Sequence, residues 1–373
     1  AAYGYFFKNL VNSSPRSWTA ALPWYVLARL RSLAGRQSVF KNDFLAKSLR
    51  ADGFEIAGCV PLFFDGGNSA TMAKSVGLGI IKLVDEFKRL KPDIVFVNAD
   101  RFEMMAAALA ASYLNIPVAH NEGGDVSGTI DESVRHAITK LAHIHFTATE
   151  SSRRRVIQMG ENPEKVFNVG SPAIDAAAGI DFAVLPKTFS GFNINQPYVL
   201  VLAHPVATDS KEKNIKMVET LISAVKELSL PKIILGSNID AGSDVLGGII
   251  KSWLEAEKPK EVFFIKHLHP DDFYKYLKHA ACAVGNSSSF IREGAYFGTP
   301  AVLLGSRQYN RERAENAVEV SDHGQNLKEA ILAQINRGRL ASSSFFGDGR
   351  SALNIADVLA RVNLEVQKSF CDL

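Results

Sequence analysis

The feature that most constrains the fold is a regular alternation of short apolar segments with longer amphipathic segments. The first series predicts strands at residues 93–98, 117–120, 143–149 and 165–169, with helices between them at 102–114, 129–142 and 151–159. A second series predicts strands at 198–203, 232–236, 261–265, 282–285 and 301–304. Short strands that alternate with helices are typical of parallel sheets covered on both faces. The sequence therefore predicts an α/β protein.

The two series are separated by a stretch around residue 180 that lacks periodicity and contains Pro186, Gly191 and Pro197. Such a break is typical of a domain boundary. We therefore predict two doubly wound domains, residues 1–180 and 181–373. It stays open whether the last predicted helix, residues 351–368, crosses back to the first domain. Residues 1–50 are the least regular part of the sequence, with a helix predicted over Trp24–Leu33.

Composition excludes several function classes. Forty-two basic and 39 acidic residues leave a net charge of +3, so neither nucleic acid nor a membrane surface is predicted as a partner. The N-terminus has no basic start ahead of an apolar run, and no segment is long enough to span a membrane. Cys59, Cys282 and Cys371 have no metal-like spacing. A cytoplasmic protein without a disulfide framework or structural zinc is the simplest interpretation.

Three acidic residues follow consecutive predicted elements. Asp100 follows one strand, Glu122 follows the next strand inside a Gly-Gly turn, and Asp131 lies in the first turn of the helix after it. For any single acid, a helix cap or a salt bridge is the simpler explanation; Arg135, for example, lies four residues after Asp131. Three together favour chemistry, because clustered carboxylates move one another's pKa values apart and can supply an acid and a base.

The second candidate element is GNSSSFIREGAYFGTP, residues 285–300. A strand that leads through serines into a helix suits an anion such as a pyrophosphate, although an ordinary capped helix has the same pattern. Glu293, farther along this helix, is placed to accept hydrogen bonds from ribose hydroxyls. No GxxxxGK[ST] segment occurs, and no GxGxxG follows a strand. Neither a P-loop nucleotide site nor a dinucleotide cofactor is therefore indicated.

Several segments resemble the UDP-N-acetylglucosamine 2-epimerase family, in particular its hydrolysing branch, which opens sialic-acid-type biosynthesis. The matching segments are DRFE (100–103), EGGDVSGTIDESVRHAITKLAHIHF (122–146), VGSPAID (169–175), AHPVATD (203–209), SNIDAG (237–242), GNSSSFIREGAYFGTP (285–300), GSRQYNRERAENA (305–317) and FGDGRSA (346–352). The second segment is long and highly specific. The resemblance implies two Rossmann-like domains of the glycosyltransferase-B type, with the substrate in the interdomain cleft.

The resemblance also implies which residues form the site. It assigns catalysis to Asp100, Glu122, Asp131 and His204. It assigns nucleotide-sugar contacts to Arg16, Arg101, Asn238, His267, Ser287, Ser288, Glu293 and Arg307. No metal or other cofactor is implied, and a homodimer or homotetramer is expected. Two departures stand out: Asn98-Ala99 replaces the family's usual His-Gly, and the region around Arg16 only loosely matches the family's first turn.

The implied reaction converts UDP-N-acetylglucosamine to N-acetylmannosamine and UDP. The C2 hydrogen of the sugar is not acidic, so elimination of UDP to a 2-acetamidoglucal, followed by hydration, is expected rather than direct proton exchange. A related substrate, such as a nucleotide-linked diacetamido-trideoxyhexose, is an alternative that Asn98 could mark. A glycosyltransferase of the same architecture and a catalytically inactive nucleotide-sugar-binding protein are the other two alternatives.

Overall fold

The computed structural model describes residues 69–372 and Val60, Leu62 and Phe64, except for residues 128–129, 185, 187–191, 207–208, 237–242, 267 and 321–325. The helix predicted over Trp24–Leu33 lies outside this part of the chain. The described chain divides into two compact units. The N-terminal unit contains residues 60–126, 130–175 and 347–372, and the C-terminal unit contains residues 176–346.

The N-terminal unit is built on a parallel sheet of four short strands, which lie side by side in chain order. Its elements up to residue 178 are α1 (Ser69–Leu90), β1 (Val95–Asn98), α2 (Phe102–Tyr113), β2 (Val118–Asn121), α3 (Ile130–Leu141), β3 (Ile144–Thr147), α4 (Glu150–Gln158), a 3₁₀ turn (Pro163–Lys165), β4 (Val166–Asn168) and α5 (Pro172–Ala178). Every residue of β1, β2 and β3 is buried. This burial explains why the strands appear in the sequence as continuous apolar runs rather than as alternating patterns.

The C-terminal unit has a parallel sheet of six strands. Its elements are β5 (Val199–Leu202), α6 (Lys211–Lys226), β6 (Lys232–Leu235), α7 (Ser243–Glu257), β7 (Val262–Ile265), α8 (Pro270–His279), β8 (Cys282–Gly285), α9 (Ser288–Phe297), β9 (Ala301–Leu304), a 3₁₀ turn (Ser306–Gln308), β10 (Ala317–Val320) and α10 (Leu327–Arg337). Across the sheet the strands lie in the order β10-β9-β8-β5-β6-β7. The chain therefore adds β6 and β7 on one side of β5 and then β8, β9 and β10 on the other. The topological switch point therefore lies between β5 and β8, where open α/β sheets bind their ligands.

The predicted α/β class is confirmed, and the strands predicted between residues 93 and 304 are all present. The sequence prediction missed β10 (Ala317–Val320). This strand lies at the edge of the sheet, is only partly buried, and carries Glu319, so it lacks the continuous apolar run of its neighbours. No helix in the described part of the chain has the length and apolar character that a membrane span requires.

The last helix, α11 (Ser351–Arg361), belongs to the N-terminal unit and completes its core. Ala352, Ile355 and Leu359 are buried in one cluster with residues of α1 and β1, such as Phe87 and Phe96. Asp175 fixes the start of this helix, because its two carboxylate oxygens accept hydrogen bonds from the backbone N–H groups of Ser351 and Ala352 at 2.9 and 2.7 Å.

The prediction that this helix continues to residue 368 is wrong, because the helix ends at Arg361. The following segment, residues 362–372, is neither helix nor strand, and we call it the C-terminal strap. Val362 and Leu364 both pack against the core of the N-terminal unit. This spacing of two residues matches extended chain rather than helix. The predicted helix was therefore too long because alternating apolar residues follow the genuine helical pattern.

Candidate active site

Two acidic residues follow neighbouring strands in the N-terminal unit at a sharp change of chain direction. Asp100 comes one residue after Ala99, which adopts a φ of 60°, and Glu122 follows β2 with a φ of 62°. Non-glycine residues rarely adopt this left-handed conformation, and such strain is concentrated at functional sites. Since β1 and β2 are parallel and adjacent, both acids lie at the carboxyl edge of the same sheet.

Asp100 forms an ion pair with Arg135 of α3. The Arg135 guanidinium is 3% exposed and also donates from Nη1 to the backbone carbonyl of Asp125 at 2.7 Å. A buried guanidinium needs a compensating charge and filled hydrogen bonds, and Asp100 supplies the charge. Sequence spacing suggested Arg135 only as a possible partner of Asp131. Its pairing with Asp100, 35 residues away, had no local signal.

Glu122 is buried, and its Oε1 accepts a hydrogen bond from the Ser171 hydroxyl at 2.8 Å. Asp125 is also buried and accepts from the Ser152 hydroxyl at 2.7 Å. Gly124, between these two acids, has a φ of 77°, and an added Cβ would lie 2.2 Å from the Ser152 carbonyl oxygen. The Gly-Gly turn therefore allows close backbone packing that fixes both carboxylates.

A buried histidine joins the turn after β1 to helix α3. His120 Nε2 lies 3.0 Å from the carbonyl oxygen of Ala99, and Nδ1 lies 3.1 Å from the Thr139 hydroxyl. Burial lowers the pKa of His120 to about 3, so the ring is neutral near pH 7. A neutral ring facing a carbonyl carries its proton on Nε2. This link and the Arg135 ion pair connect α3, which carries Asp131 in its partly exposed first turn, to the residues around Asp100.

Arg101 and Glu103 occupy the start of α2. The Arg101 guanidinium donates from Nε to Glu103 Oε1 at 2.7 Å, and its side chain is 46% exposed. Glu103, by contrast, is fully buried. The structure thus places the predicted binding residue Arg101 next to Asp100 in the chain, with its guanidinium partly open to solvent.

The predicted anion element lies at the switch point of the C-terminal unit. Ser287 is the N-cap of α9, with its hydroxyl accepting from the Ser289 backbone N–H at 3.4 Å, and Ser288 is the first helical residue. Glu293 is buried and accepts a hydrogen bond from the Ser289 hydroxyl at 3.1 Å. A helix N-terminus surrounded by hydroxyl groups is suited to a phosphate group.

His204 and Arg307 lie at the same switch point as this helix start. His204 follows β5 and is 4% exposed. Burial, assisted by the charge of Arg307, lowers the pKa of His204 to about 3, so the imidazole is neutral near pH 7. Arg307 donates from Nη1 to the backbone carbonyl of Asn286 at 3.3 Å.

Three predicted binding residues, Arg16, Asn238 and His267, lie outside the described residues. The nearby His269 caps α8, because its ring accepts from the Asp271 backbone N–H. Among the residues that the structure describes, no group of three or more His, Cys, Asp or Glu side chains could hold a metal ion. The residues missed by sequence analysis are Arg135, Ser171 and Asn286, all of which lie in segments quoted for the family resemblance.

These features define a class of protein: two units with parallel sheets, one carrying carboxylates at its strand ends and the other a polar helix start suited to phosphate. The sequence profile of the UDP-N-acetylglucosamine 2-epimerase family matches residues 39–360. The chain belongs to this family.

Individual relatives agree with this placement. The chain is 35% identical over 322 residues to the UDP-N,N'-diacetylbacillosamine 2-epimerase (hydrolyzing) of Legionella pneumophila, covering 86% of this chain and 84% of the relative. It is 32% identical over 304 residues to the UDP-N-acetylglucosamine 2-epimerase of Neisseria meningitidis, covering 79% and 78%. A crystal structure of UDP-GlcNAc 2-epimerase from Neisseria meningitidis bound to UDP-GlcNAc has a TM-score of 0.72 at 18% identity, covering 93% of this chain and 98% of the other. The fold is therefore of the glycosyltransferase-B type.

Proposed function

We propose that the protein is a hydrolysing 2-epimerase that converts UDP-N-acetylglucosamine to N-acetylmannosamine and UDP. The observation that carries this proposal is the set of acidic residues around α3, with Asp100 held by the buried Arg135 and Glu122 held by Ser171. Family membership supports a reaction at C2 of a nucleotide sugar. The acids support a mechanism based on proton transfer.

The proposed reaction has two stages. In the first, a carboxylate removes the C2 proton, the C2–H electron pair forms a C1=C2 double bond, and the C1–O bond breaks to release UDP. In the second, a water molecule loses a proton to a carboxylate as its oxygen bonds to C1, and the electron pair of the C1=C2 double bond takes up a proton at C2 from an acid on the opposite face. The product is the free 2-epimer. This chemistry needs a base, an acid and a stabilised diphosphate leaving group.

The two units carry out different parts of this reaction. Asp100, Glu122 and Asp131 of the N-terminal unit transfer the protons. The start of α9 at Ser287 and Ser288 receives the diphosphate, together with Arg307 and the neutral imidazole of His204. Helix N-termini and guanidinium groups stabilise the charge that develops on a departing phosphate. Arg101 and Glu293, as well as Arg16, Asn238 and His267, remain proposed contacts of the nucleotide sugar.

A second substrate, UDP-N,N'-diacetylbacillosamine, is favoured by a specific observation. The Legionella pneumophila relative, which is 35% identical over most of this chain, is named for that substrate. Asn98, where the family usually has histidine, is buried at the end of β1 and accepts a hydrogen bond from Asn121 at 2.5 Å. The change replaces a ring by an amide beside Asp100. A sugar with a different substituent would need a different polar group at this position, which is a physical reason for asparagine in place of histidine.

Proton NMR in deuterated water tests the reaction and separates the substrates. We expect release of UDP together with a free sugar deuterated at C2, and the substrate with the higher kcat/KM identifies the sugar. Deuterated UDP-sugar without release would instead indicate a non-hydrolysing epimerase. Binding of UDP without turnover of either sugar would contradict the proposal and favour an inactive nucleotide-sugar-binding protein.

Replacing Asp100 by Asn tests the catalytic assignment. The amide keeps the shape of the side chain but cannot take up a proton, so we expect kcat to fall by about 10²–10⁴-fold. UDP affinity, measured by calorimetry, should stay close to that of the unmodified protein. The matched control is Asp93→Asn, because Asp93 is an exposed acid just before β1. Equal turnover by the two variants would remove Asp100 from the mechanism.

A further inference from the structure

Asn286, at the switch point of the C-terminal unit, forms an unusual contact with His204. Its side-chain Nδ2 donates to the His204 backbone carbonyl at 2.8 Å, and its Oδ1 accepts from the His204 backbone N–H at 2.7 Å. The side chain therefore satisfies both backbone polar groups of a residue 82 positions away. Asn286 is 1% exposed. Since an amide has one acceptor end and one donor end, this arrangement also fixes its orientation.

The contact continues the pairing between β5 and β8 beyond their last backbone partners. Leu202 and Gly285 are the final partners of β5 and β8, and the Asn286 backbone N–H donates to the Leu202 carbonyl at 3.2 Å. Gly285 has a φ of 142°, and a Cβ there would lie 1.9 Å from the Leu202 carbonyl oxygen. Glycine thus allows the two strand ends to approach closely enough for the Asn286 side chain to reach His204.

Asn286 is itself held by the chain that follows β9. Its backbone carbonyl accepts from Arg307 Nη1 at 3.3 Å and from Gln308 Nε2 at 3.0 Å. The other end of the Gln308 amide accepts from Arg311 Nη1 at 3.0 Å. One buried residue therefore joins His204, the start of α9 and Arg307, which are the groups assigned above to the leaving diphosphate.

A second asparagine provides a natural comparison on the same segment. Asn214 of α6 accepts from the Val206 backbone N–H at 2.7 Å and donates to the Val206 carbonyl at 3.0 Å. Pro205 lies between the two clamped residues and restricts the backbone of His204 to extended conformations. Each asparagine thus makes the same pair of hydrogen bonds, but only Asn286 makes them to the histidine.

We propose that Asn286 is a positioning residue that fixes the backbone of His204, and through it the direction of the imidazole, relative to the start of α9 and Arg307. This inference rests on the proposed function, in which these groups meet the leaving diphosphate. A neutral, buried imidazole makes directional hydrogen bonds, so its contribution depends on its orientation. A displacement of about 1 Å in a catalytic group can reduce turnover by about 100-fold.

The first experiment compares Asn286→Ala with Asn214→Ala. Both variants lose a pair of hydrogen bonds to a backbone N–H and a carbonyl. Asn214→Ala also loses the bonds from Nδ2 to the Asp209 and Ser210 carbonyls at 3.5 and 3.1 Å, so it should lose at least as much stability as Asn286→Ala. We expect kcat to fall by about 100-fold in Asn286→Ala and to stay within about threefold of the unmodified protein in Asn214→Ala. Similar kcat values for the two folded variants would overturn the positioning role.

The variant Asn286→Asp adds a pH profile that a purely structural role would not produce. A protonated carboxyl has one donor and one acceptor, like the amide, whereas a carboxylate has no donor for the His204 carbonyl. Arg307 is the neighbouring cation. We expect kcat of this variant, relative to the unmodified protein, to rise as the pH falls from about 8 to about 5. A constant ratio across this range would contradict the proposal, and this test remains available if the alanine variant does not fold.

A measurement without turnover separates failure of this inference from failure of the proposed function. In protein labelled with ¹⁵N-histidine, the ring signals of His204 are assigned with His204→Gln. We expect Asn286→Asp to shift these signals and to alter their response to UDP, while Asn214→Ala leaves both unchanged. Superimposable His204 signals would overturn the positioning role even if the enzyme is active. If the His204 signals shift in Asn286→Asp but the unmodified protein turns over no UDP-sugar, only the proposed reaction is rejected.

Discussion

At the scale of single residues, Ala99 is one position where this chain departs from the family pattern. The resemblance expects glycine there, and Ala99 nevertheless adopts a φ of 60°. Two contacts hold this conformation. The Ala99 N–H donates to the Asn121 carbonyl at 2.9 Å, and the Ala99 carbonyl oxygen lies 3.0 Å from His120 Nε2. The turn that presents Asp100 is therefore imposed by its neighbours against the preference of alanine.

Replacing Ala99 by Gly should relieve this strain. Glycine populates positive φ at no steric cost, and we expect the free energy of unfolding to rise by about 0.5–1 kcal/mol. Urea unfolding measures the change. The control is Ala73→Gly, at an exposed position of α1 in the same unit, which should lower stability by about 1 kcal/mol. A loss of stability in Ala99→Gly would show that the alanine methyl contributes more by packing than it costs by strain.

Arg135 is the second residue whose role can be tested alone. Replacing it by Met keeps much of the side-chain volume but removes the buried positive charge that faces Asp100. Breaking a buried ion pair in this way should lower the free energy of unfolding by about 3 kcal/mol. We also expect turnover to fall, because Asp100 loses the group that orients it. Arg154→Met, at an exposed position of α4, is the control.

A double-mutant cycle decides whether the two residues act through each other. In the Arg135→Met background, Asp100→Asn should cost little further stability, because the pair is already broken. Additive losses from the two substitutions would contradict a direct pairing.

At the scale of elements, the C-terminal strap acts as a clamp on α3. Lys368 Nζ donates to the carbonyls of Lys140 and Ala142 at 2.7 and 2.6 Å, and forms an ion pair with the buried Glu161 at 2.6 Å. The last carbonyls of a helix lack partners within the helix and attract cations. Phe370 completes the clamp by packing against Gly160. The strap thus secures the C-terminal end of the helix that carries Asp131 in its first turn and Arg135 near its middle.

Replacing Lys368 by Met should lower the free energy of unfolding by about 2 kcal/mol, because Glu161 loses one of its charged partners and the α3 carbonyls lose a donor. Burial alone would raise the pKa of Glu161, but hydrogen bonds from His145, Lys140 and Lys368 outweigh burial and lower this pKa to about 2. The measurement is urea unfolding near pH 7. Glu365→Ala is the control, since this strap residue is 61% exposed. Equal stability of the two variants would contradict the clamp.

Much of the element order was predictable, because buried parallel strands leave continuous apolar runs in the sequence. The failures have local physical causes: β10 is a partly exposed edge strand, and the strap continues an apolar pattern after the helix has ended. Asp100 and Glu122 could be singled out as candidate site residues because acids at strand ends are conspicuous, and their roles remain predictions. Their partners Arg135 and Ser171 were not found, because a contact between residues 35 or 49 positions apart leaves no periodic signal.

At the scale of the whole molecule, each unit buries a neutral histidine near its proposed functional groups. Burial lowers the pKa values of His120 and His204 to about 3. The unfolded chain binds protons at these positions below about pH 6.5, and the native units do not. The contribution of these two histidines to the free energy of unfolding is therefore fully present above about pH 6.5, and it is lost as the pH falls towards 3. Asp175, whose pKa burial raises to about 6, opposes this loss in the N-terminal unit between about pH 6 and 4.

We expect urea unfolding to show falling stability between about pH 6.5 and 5, with each buried histidine contributing up to about 1.4 kcal/mol per pH unit. His204→Gln should flatten this dependence for the transition of the C-terminal unit. His269→Asn should not, because the His269 side chain is 60% exposed. Unchanged pH dependence in His204→Gln would show that other groups control the acid sensitivity of that unit.

The position of α11 in the sequence has a consequence for biosynthesis. The N-terminal unit is interrupted by all of residues 176–346, and its core lacks Ala352, Ile355 and Leu359 until that segment has been translated. At about 5–20 residues per second, the delay is on the order of 10–30 s. On the ribosome, the C-terminal unit can therefore fold first, while the earlier half of the nascent chain waits with an exposed apolar surface. We therefore expect chaperones to bind this half of the chain during translation.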